Sequence, residues 1–552
     1  MNLLLLGAYE DETFLKQLNL ILAGHKVYFQ LTPLVTISEI ALRCAKQGIE
    51  GIICSNRNSL EKLVEHQPDF SKPSGAQRIT LDDWQGSYLQ LSSEKFLGAK
   101  KIPVVVINPL EHLFTVPYGK FIAQRFLSKI TAPESWMPAI QFTWSLIEPA
   151  TAETYYKEFQ SADLIAIDIE TNPSQKLILC VSYCAYWFKT NRCKTLVIPY
   201  TDDYFVAWVQ KFNTLPAAKI FQGGIYDNSY FIRFSSPVHN WLWDTLHLFH
   251  SWYSELPKRL DFITAFAVKE VRYWKHDGRS EDLFKFYRYN AIDAWATLCS
   301  FLSIMRELPE WAKVNYLEEF PLVFPSLHCG LDGLAVDFEQ FHIVEKQKKE
   351  EAEQLLTNIR RLVGWPEFNP RSPPQMRKLL KALGCGFLED TSEASLLKAQ
   401  ASDPLNNIII APIREYRKAA KLNSTYLVED KFYGGRILYS LDPGGTDTGR
   451  LASRESPFMC GLQIHNIPRG DAIKSFIVSD KTWKFGTGDY PQAEARCVAY
   501  ISGDEKLLWL VESGNDYHSW NIQEFFGISY SDVWDQKAGK SKNKDLRELS
   551  KR

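Results

Sequence analysis

The segment Leu164-Ile165-Ala166-Ile167-Asp168-Ile169-Glu170-Thr171 is an apolar run of strand length that ends in two carboxylates. Side chains alternate between the two faces of a strand, so Asp168 and Glu170 share a face at its C-terminal end. Adjacent carboxylates repel unless a cation lies between them, and their hard oxygens suit Mg²⁺ or Mn²⁺. Alone, a D-x-E pair also arises by chance where a strand runs into a loop.

Two further segments supply groups of the same kind. Phe221-Gln222-Gly223-Gly224-Ile225-Tyr226-Asp227 places an Asp after a Gly-rich turn. In the helical pattern Tyr287-Arg288-Tyr289-Asn290-Ala291-Ile292-Asp293, Tyr289 and Asp293 stand at i, i+4 and share a helix face. Asp168, Glu170, Asp227 and Asp293, with Tyr289, can assemble a two-metal site. In such a site one ion lowers the pKa of the attacking water and the other stabilises the leaving oxygen of a phosphodiester.

The surrounding pattern is α/β and multidomain. Leu3 to Leu6, Lys26 to Leu31, Gly51 to Cys54 and Ile102 to Ile107 read as strands, with helices at Glu12 to Ala23 and Ile37 to Gln47. A second α/β block has strands at Leu164 to Ile169, Leu177 to Tyr183 and Thr195 to Pro199, and ends in helical sequence through Met305. From Glu307 the chain is helical and charged, then mixed after Lys431. These changes place domains at 1–140, of unknown role, 141–306 and 307–552. A length of 552 residues suits several cores, and 45% hydrophobic with 23% charged residues excludes a disordered, collagenous or membrane class.

Lys+Arg 63 against Asp+Glu 65 leaves a net charge of -2, so contact with nucleic acid must come from local patches. The ten Cys form no C-x-x-C pair and read as buried free thiols in a reducing compartment rather than a zinc site. No G-x-G-x-x-G follows Gly7, so no dinucleotide site is expected there. Met1 to Gly7 reads as a buried strand rather than a leader, and no apolar stretch approaches the roughly 18 residues of a membrane span.

The order D-x-E, D, Y-x-x-x-D, with Trp243-Asp244-Thr245 and Leu256-Pro257-Lys258-Arg259-Leu260-Asp261-Phe262, resembles the 3′-5′ proofreading exonuclease domain of family A (Pol I-like, phage-type) DNA polymerases. The resemblance implies a ribonuclease-H-like fold, with Asp168, Glu170, Asp227 and Asp293 as ligands for Mg²⁺ or Mn²⁺ and Tyr289 orienting the water. The family has Asn where this chain has Gly223.

Further matches follow downstream. Gly330 to Asp337, Phe368 to Gln375 and Glu415 to Tyr426 resemble the start of the palm and the thumb of the same family. There Arg414, Arg417, Lys418 and Lys421 form a basic stripe suited to phosphates, a pattern that a solvated helix face shares. Thr446-Asp447-Thr448-Gly449-Arg450-Leu451-Ala452-Ser453 resembles T-x-T-G-R-L-S-S. Leu462-Gln463-Ile464-His465-Asn466-Ile467-Pro468-Arg469 resembles L-Q-N-I-P-R with two residues inserted. The resemblance implies that Arg417, Lys421, Thr448, Arg450, Asn466 and Arg469 bind DNA, positioning the duplex rather than reading its sequence.

Gly488-Asp489-Tyr490-Pro491-Gln492-Ala493-Glu494-Ala495-Arg496 resembles motif A, D-Y-S-Q-I-E-L-R, with Pro491 in place of Ser. By that resemblance Asp489, at the end of a strand, binds the catalytic Mg²⁺ of the polymerase site and Glu494 is the steric gate under the sugar. Asp516-Tyr517-His518 resembles D-I-H, whose His contacts the nucleotide. Arg547-Glu548-Leu549-Ser550-Lys551 resembles the opening of motif B, within a basic segment from Lys537 that reads as the start of a helix. Gln492, Glu494, His518, Arg547 and Lys551 are thus the nucleotide-binding set. Motif C, with the second metal-binding Asp, has no match in the chain.

The expected architecture is an N-terminal α/β domain, a ribonuclease-H-like exonuclease domain and a partial palm, thumb and fingers of a right-hand polymerase. The expected function is that of the N-terminal part of a split polymerase that proofreads on its own. Its partners are primer-template and single-stranded DNA, with dNTP bound only once a second polypeptide supplies the remainder of the polymerase site. The rival is a non-catalytic DNA-binding or replisome-docking subunit. No membrane is involved, and the expected setting is a DNA-containing cytoplasm such as that of an infected bacterial cell.

Overall fold

The computed structural model describes residues 1–7, 18–30, 36–67, 78–468 and 470–550. It has two compact units, Met1–Val478 and Ser479–Arg552. The first contains two large sheets.

The N-terminal sheet has the order Lys26–Gln30, Asn2–Leu6, Gly51–Cys54, Lys101–Val106, Tyr88–Ser92. Its first four strands are parallel and Tyr88–Ser92 is antiparallel. Leu3 to Leu6 and Gly51 to Cys54 are buried on both faces, which is why they are continuous apolar runs rather than alternating ones. The helix Ile37–Gln47 covers one face and opens with a capping box from Thr36 and Glu39. Of the expected helix over Glu12 to Ala23, residues 12–17 lie outside the described residues and 18–21 are helical. The strand Tyr88–Ser92 was not expected from the sequence. It pairs through Tyr88 and Leu91 with Val105 and Ile102, contacts that no local periodicity announces.

The second sheet has the order Trp241–Asp244, Ala218–Phe221, Leu164–Asn172, Leu177–Trp187, Arg192–Pro199, Trp144–Leu146. Leu164–Asn172 lies inside it, parallel to Ala218–Phe221 and antiparallel to Leu177–Trp187, with Asp168 opposite Ser182 and Glu170 opposite Cys180. The register shifts just after Glu170. Such a bulge bends the strand and re-aims its last side chains. The helix Leu283–Glu307, capped by Asp282, packs across this sheet with Asn290, Ala291, Asp293 and Ala294 buried. Ser182 fixes its height by donating from Oγ to the Asn290 carbonyl at 2.9 Å.

Beyond residue 322 the first unit is mainly helical. Phe338–Val363 and Pro404–Thr425 are long helices, the second with a separate small core formed with Pro373–Ala382 and Glu393–Ser402. A three-stranded sheet, Arg436–Ile437, Leu334–Val336, Ile477–Val478, lies at their base.

The second unit holds Ala493–Ser502, Glu505–Glu512, Tyr517–Phe526 and the two-stranded ribbon Trp534–Asp535 with Lys540–Ser541. Two expectations change here. Asp489 does not end a strand: residues 483–490 are irregular and Asp489 is exposed, because no described strand pairs with that segment and an unpaired strand has no ladder to hold it. The basic segment from Lys537 begins as part of the ribbon, and its helix starts only at Lys544. Its Lys and Ser at 540–541 find backbone partners at Trp534 and Asp535. All ten Cys are unpaired, and eight of them are buried. No helix among the described residues is long and apolar enough to cross a membrane.

Candidate metal centre

Asp168, Glu170 and Asp293 each offer a carboxylate oxygen, and the three atoms lie within 4.8 Å of one another. The strand's alternation brings the first two together, and the helix docked by Ser182 adds the third. Asn290, one turn before Asp293 on the inner face, donates from Nδ2 to Asp168 Oδ2 at 2.7 Å and orients that carboxylate. Asp227 stands in the first turn of the helix Ile225–Arg233 and accepts the Ile169 N–H at 3.2 Å, so it faces the strand between the two acids.

The Gly-rich turn that carries Asp227 is built around Asp244. Gly223 and Gly224 donate their N–H groups to the two Asp244 oxygens at 2.9 and 2.8 Å. Gly223 is left-handed at φ 69, and a Cβ on Gly224 would lie 2.6 Å from Phe221 and 2.8 Å from Trp241. Asp244 is the reason the segment Trp243-Asp244-Thr245 matters to this centre.

Burial pushes the Asp168 carboxyl well above the usual range, reinforced by Asp293 and Glu170. Burial and Asp293 lift Glu170 to about 8, and burial lifts Asp227 to about 8. The cluster thus carries more negative charge than its surroundings solvate, the condition a divalent cation relieves. The donor set, three converging carboxylates with a fourth beside them, fits hard ions such as Mg²⁺ or Mn²⁺.

The sequence reading missed two neighbours, Trp274 and Lys275. Trp274 Nε1 donates to Asp293 Oδ1 at 2.6 Å. Lys275 Nζ donates to Asp293 Oδ2 at 2.7 Å and to the Tyr289 hydroxyl at 3.2 Å. Burial alone would lower the Lys275 pKa, but Asp293 and Asp168 outweigh it and raise it. Tyr289 is pushed up by burial and by Asp293, and its ring lies against Gly278, where a Cβ would sit 2.8 Å from Cζ. The only sequence signal was a cationic residue beside a Trp in the loop before the Tyr289 helix.

A second polar contact ties this block to later sequence within the same unit. His247 lies 3.3 Å from Asp244 Oδ1 through Nδ1 and 3.5 Å from Asp442 Oδ1 through Nε2. Burial would lower its pKa, but the Asp244 and Asp442 carboxylates raise it to about 9.

The expected DNA-binding residues are scattered over several elements. Lys421 and Asn466 line one groove of about 470 Å³ with Lys348 and Lys418. Thr448 and Arg450 lie in the loop between Ser440–Asp442 and Ala452–Arg454, where Thr446 Oγ1 donates to the Arg450 carbonyl at 2.7 Å. Arg417 turns inward, donating to the Pro370 carbonyl at 2.7 Å and the Thr391 carbonyl at 2.6 Å. Arg417→Ala is therefore expected to destabilise the helical region by about 2 kcal/mol, read by denaturant unfolding, because two charge-assisted bonds to backbone are lost. Arg469 and Lys551 lie outside the described residues.

In the second unit Gln492 is left-handed at φ 55, accepts the Tyr517 N–H at 3.1 Å and donates to the Asn515 carbonyl at 3.2 Å. Arg547 pairs with Asp516 through two bonds of 2.8 and 3.0 Å, one residue from Tyr517 and two from His518. Glu494 lies in the first turn of Ala493–Ser502. This unit thus collects Gln492, His518 and Arg547 around residues 515–518, while Asp489 stands apart in the irregular segment.

The fold is that of a mixed α/β and helical chain resembling a DNA polymerase domain. It matches the POL domain of Pol1 from M. smegmatis, solved in complex with DNA primer-template and dNTP, with a TM-score of 0.54 and 17% identity over 74% of this chain and 70% of that one. Residues 339–545 match the family model described as DNA polymerase family A. It is 30% identical over 263 residues to DNA polymerase I of Chloroflexus aurantiacus, covering 44% of this chain and 27% of that protein. It is 29% identical over 223 residues to the thermostable DNA polymerase I of Thermus aquaticus, covering 38% and 26%. With DNA polymerase I of Streptococcus pneumoniae identity is 31% over 234 residues, covering 40% and 26%. The chain thus matches about a quarter of the length of these relatives.

Proposed function

We propose that residues 141–306 form a metal-dependent 3′-5′ DNA exonuclease domain of ribonuclease-H-like fold. Residues 307–552 would then contribute part of a family A polymerase site: the start of the palm, the thumb, motif A and the opening of motif B. Residues 1–140 supply an α/β layer whose core is continuous with that of the exonuclease block. The observation that carries the reading is the convergence of Asp168, Glu170 and Asp293 within 4.8 Å, with Asp227 alongside and Tyr289 joined to Asp293 through Lys275.

Asp168, Glu170 and Asp293 would hold Mg²⁺ or Mn²⁺, with Asp227 completing the set. Ions bound there supply charge neutralisation at the scissile phosphate. Tyr289 presents its hydroxyl to the water that attacks, and Asn290 keeps Asp168 turned toward the centre. The Asp244-braced turn holds Asp227 against Ile169, beside the three converging carboxylates.

In the polymerase part Lys421 and Asn466, with Thr448, Arg450 and Arg469, would follow the primer-template. Asp489 would bind Mg²⁺, and Gln492, Glu494, His518, Arg547 and Lys551 would receive the nucleotide. DNA synthesis would be the activity of this part once the rest of motif B and the other metal-binding Asp are supplied. Lys421→Ala is expected to weaken DNA binding uniformly across sequences and to lower the salt slope of log K by about 1. The deciding experiment is Mg²⁺-dependent shortening of 3′-labelled single-stranded DNA by the purified chain. Loss of label that EDTA stops supports the exonuclease. Intact DNA with retained primer-template binding would favour a DNA-binding or replisome-docking subunit.

A further inference from the structure

Both oxygens of Asp293 already have donors: Trp274 Nε1 on Oδ1 at 2.6 Å and Lys275 Nζ on Oδ2 at 2.7 Å. The Lys275 ammonium also reaches the Tyr289 hydroxyl at 3.2 Å and lies 5.1 Å from the centre of its ring. A single charge therefore touches the two residues on the helix Leu283–Glu307 that the exonuclease reading uses most. It does so from inside a cluster of acids, where a cation is worth more than at the surface.

The backbone that delivers this ammonium is held from the N-terminal layer. Tyr88 N–H donates to the Val271 carbonyl at 2.9 Å, Tyr273 N–H donates to Ser87 Oγ at 3.0 Å, and the Trp84 ring lies 5.6 Å from Tyr273 and 6.0 Å from His276. The main chain on either side of Lys275 is thus anchored, while its four-carbon stem leaves the ammonium free to swing.

We propose that Lys275 is a positioning residue and a built-in cation of the acidic centre. It holds Asp293 and Tyr289 in register when no divalent ion is bound, and it leaves Asp293 Oδ2 when an ion takes that oxygen. This rests on the metal-dependent reading of the centre above. It also gives residues 84–88 a part in the centre, as the brace for the segment that carries the ammonium. Loading with Mn²⁺ is then a competition between two cations for one carboxylate, so removing the lysine charge tightens ion binding while loosening the ion-free centre.

The test is Mn²⁺ titration calorimetry without DNA on the full chain, comparing wild type, Lys275→Met, Lys275→Gln and Lys275→Arg, with Asp168→Ala as the control for the centre. Loss of one lysine charge is expected to tighten Mn²⁺ binding at least about fivefold in both neutral variants, with Lys275→Arg close to wild type. The rise in melting temperature on adding Mn²⁺ should also be larger in the neutral variants. Lys275→Gln keeps a donor for Asp293 and serves if Lys275→Met does not fold. Asp168-dependent binding in wild type that is unchanged or weaker in both neutral variants overturns the role of Lys275 and leaves the metal centre standing. Absence of Asp168-dependent Mn²⁺ binding in every variant overturns the metal centre itself, and this inference with it.

Discussion

Asp168→Ala is expected to lower Mg²⁺-dependent 3′-5′ degradation of single-stranded DNA on the order of 10³-fold, the scale seen when one preorganised electrostatic partner is taken from a site. The size follows from how the centre is built. Asp168 is half-buried, oriented by Asn290 and within reach of Glu170 and Asp293, so its loss removes one of the three converging oxygens. Asp489→Ala should leave the nuclease unchanged, because Asp489 lies in the other compact unit. An Asp168→Ala chain that degrades DNA at the wild-type rate would remove the centre from the mechanism.

The same reaction should depend on pH in a stated direction. Glu170 and Asp227 hold their protons up to about 8 in the ion-free protein. A bound cation and those protons compete for the same oxygens. At limiting Mg²⁺ the rate should therefore rise as pH climbs toward 8, and saturating Mg²⁺ should shift the rise to lower pH. A profile that does not move with Mg²⁺ would show that these carboxylates do not bind the ion.

The second large effect concerns His247. His247→Leu is expected to cost about 3–5 kcal/mol, because it leaves Asp244 and Asp442 as buried carboxylates without their shared partner. The wild-type contribution has a pH window. An unfolded His titrates near 6.5, whereas His247 in the fold is raised to about 9. The native state therefore binds the extra proton between those values, so the stabilisation is complete below about 6.5 and disappears as pH rises through about 9. For His250 burial and Lys258 push the pKa down, so its linkage has the opposite sign and falls at and below the unfolded value near 6.5. Urea unfolding followed by Trp fluorescence from pH 6 to 9.5 reads the effect. A His247→Leu chain whose stability falls with pH as steeply as wild type would refute this account.

Asp244 explains why this pair has consequences beyond stability. The same carboxylate receives Gly223 and Gly224, and that turn sets Asp227 beside Ile169. A change at His247 therefore reaches the acidic centre through one shared residue.

What could be read from the sequence is what depends on near neighbours. The period of 2 put Asp168 and Glu170 on one face, and i, i+4 spacing put Tyr289 and Asp293 on one helix. Both hold in the fold. Ile37–Gln47 and Gly51–Cys54 were legible for the same reason, as amphipathic and fully apolar runs bounded by their own caps and turns. The polymerase-like segments were legible because motif residues lie close together along the chain, and residues 339–545 match the family.

The rest rests on pairs far apart in sequence. Lys275 and Trp274 meet Asp293 across a loop, Asn290 meets Asp168 between helix and strand, and Trp84 meets Tyr273 from the N-terminal layer. None of these has a spacing that local periodicity could reveal. Arg417 shows the converse: its place in a basic stripe suggested phosphate, and the fold spends its donors on two backbone carbonyls. The chain's own sequence determined which acids could share a centre, through the geometry of one strand and one helix. Only the tertiary structure decided which cation sits among them, because a side chain's charge is local but its partners are chosen by how the layers pack.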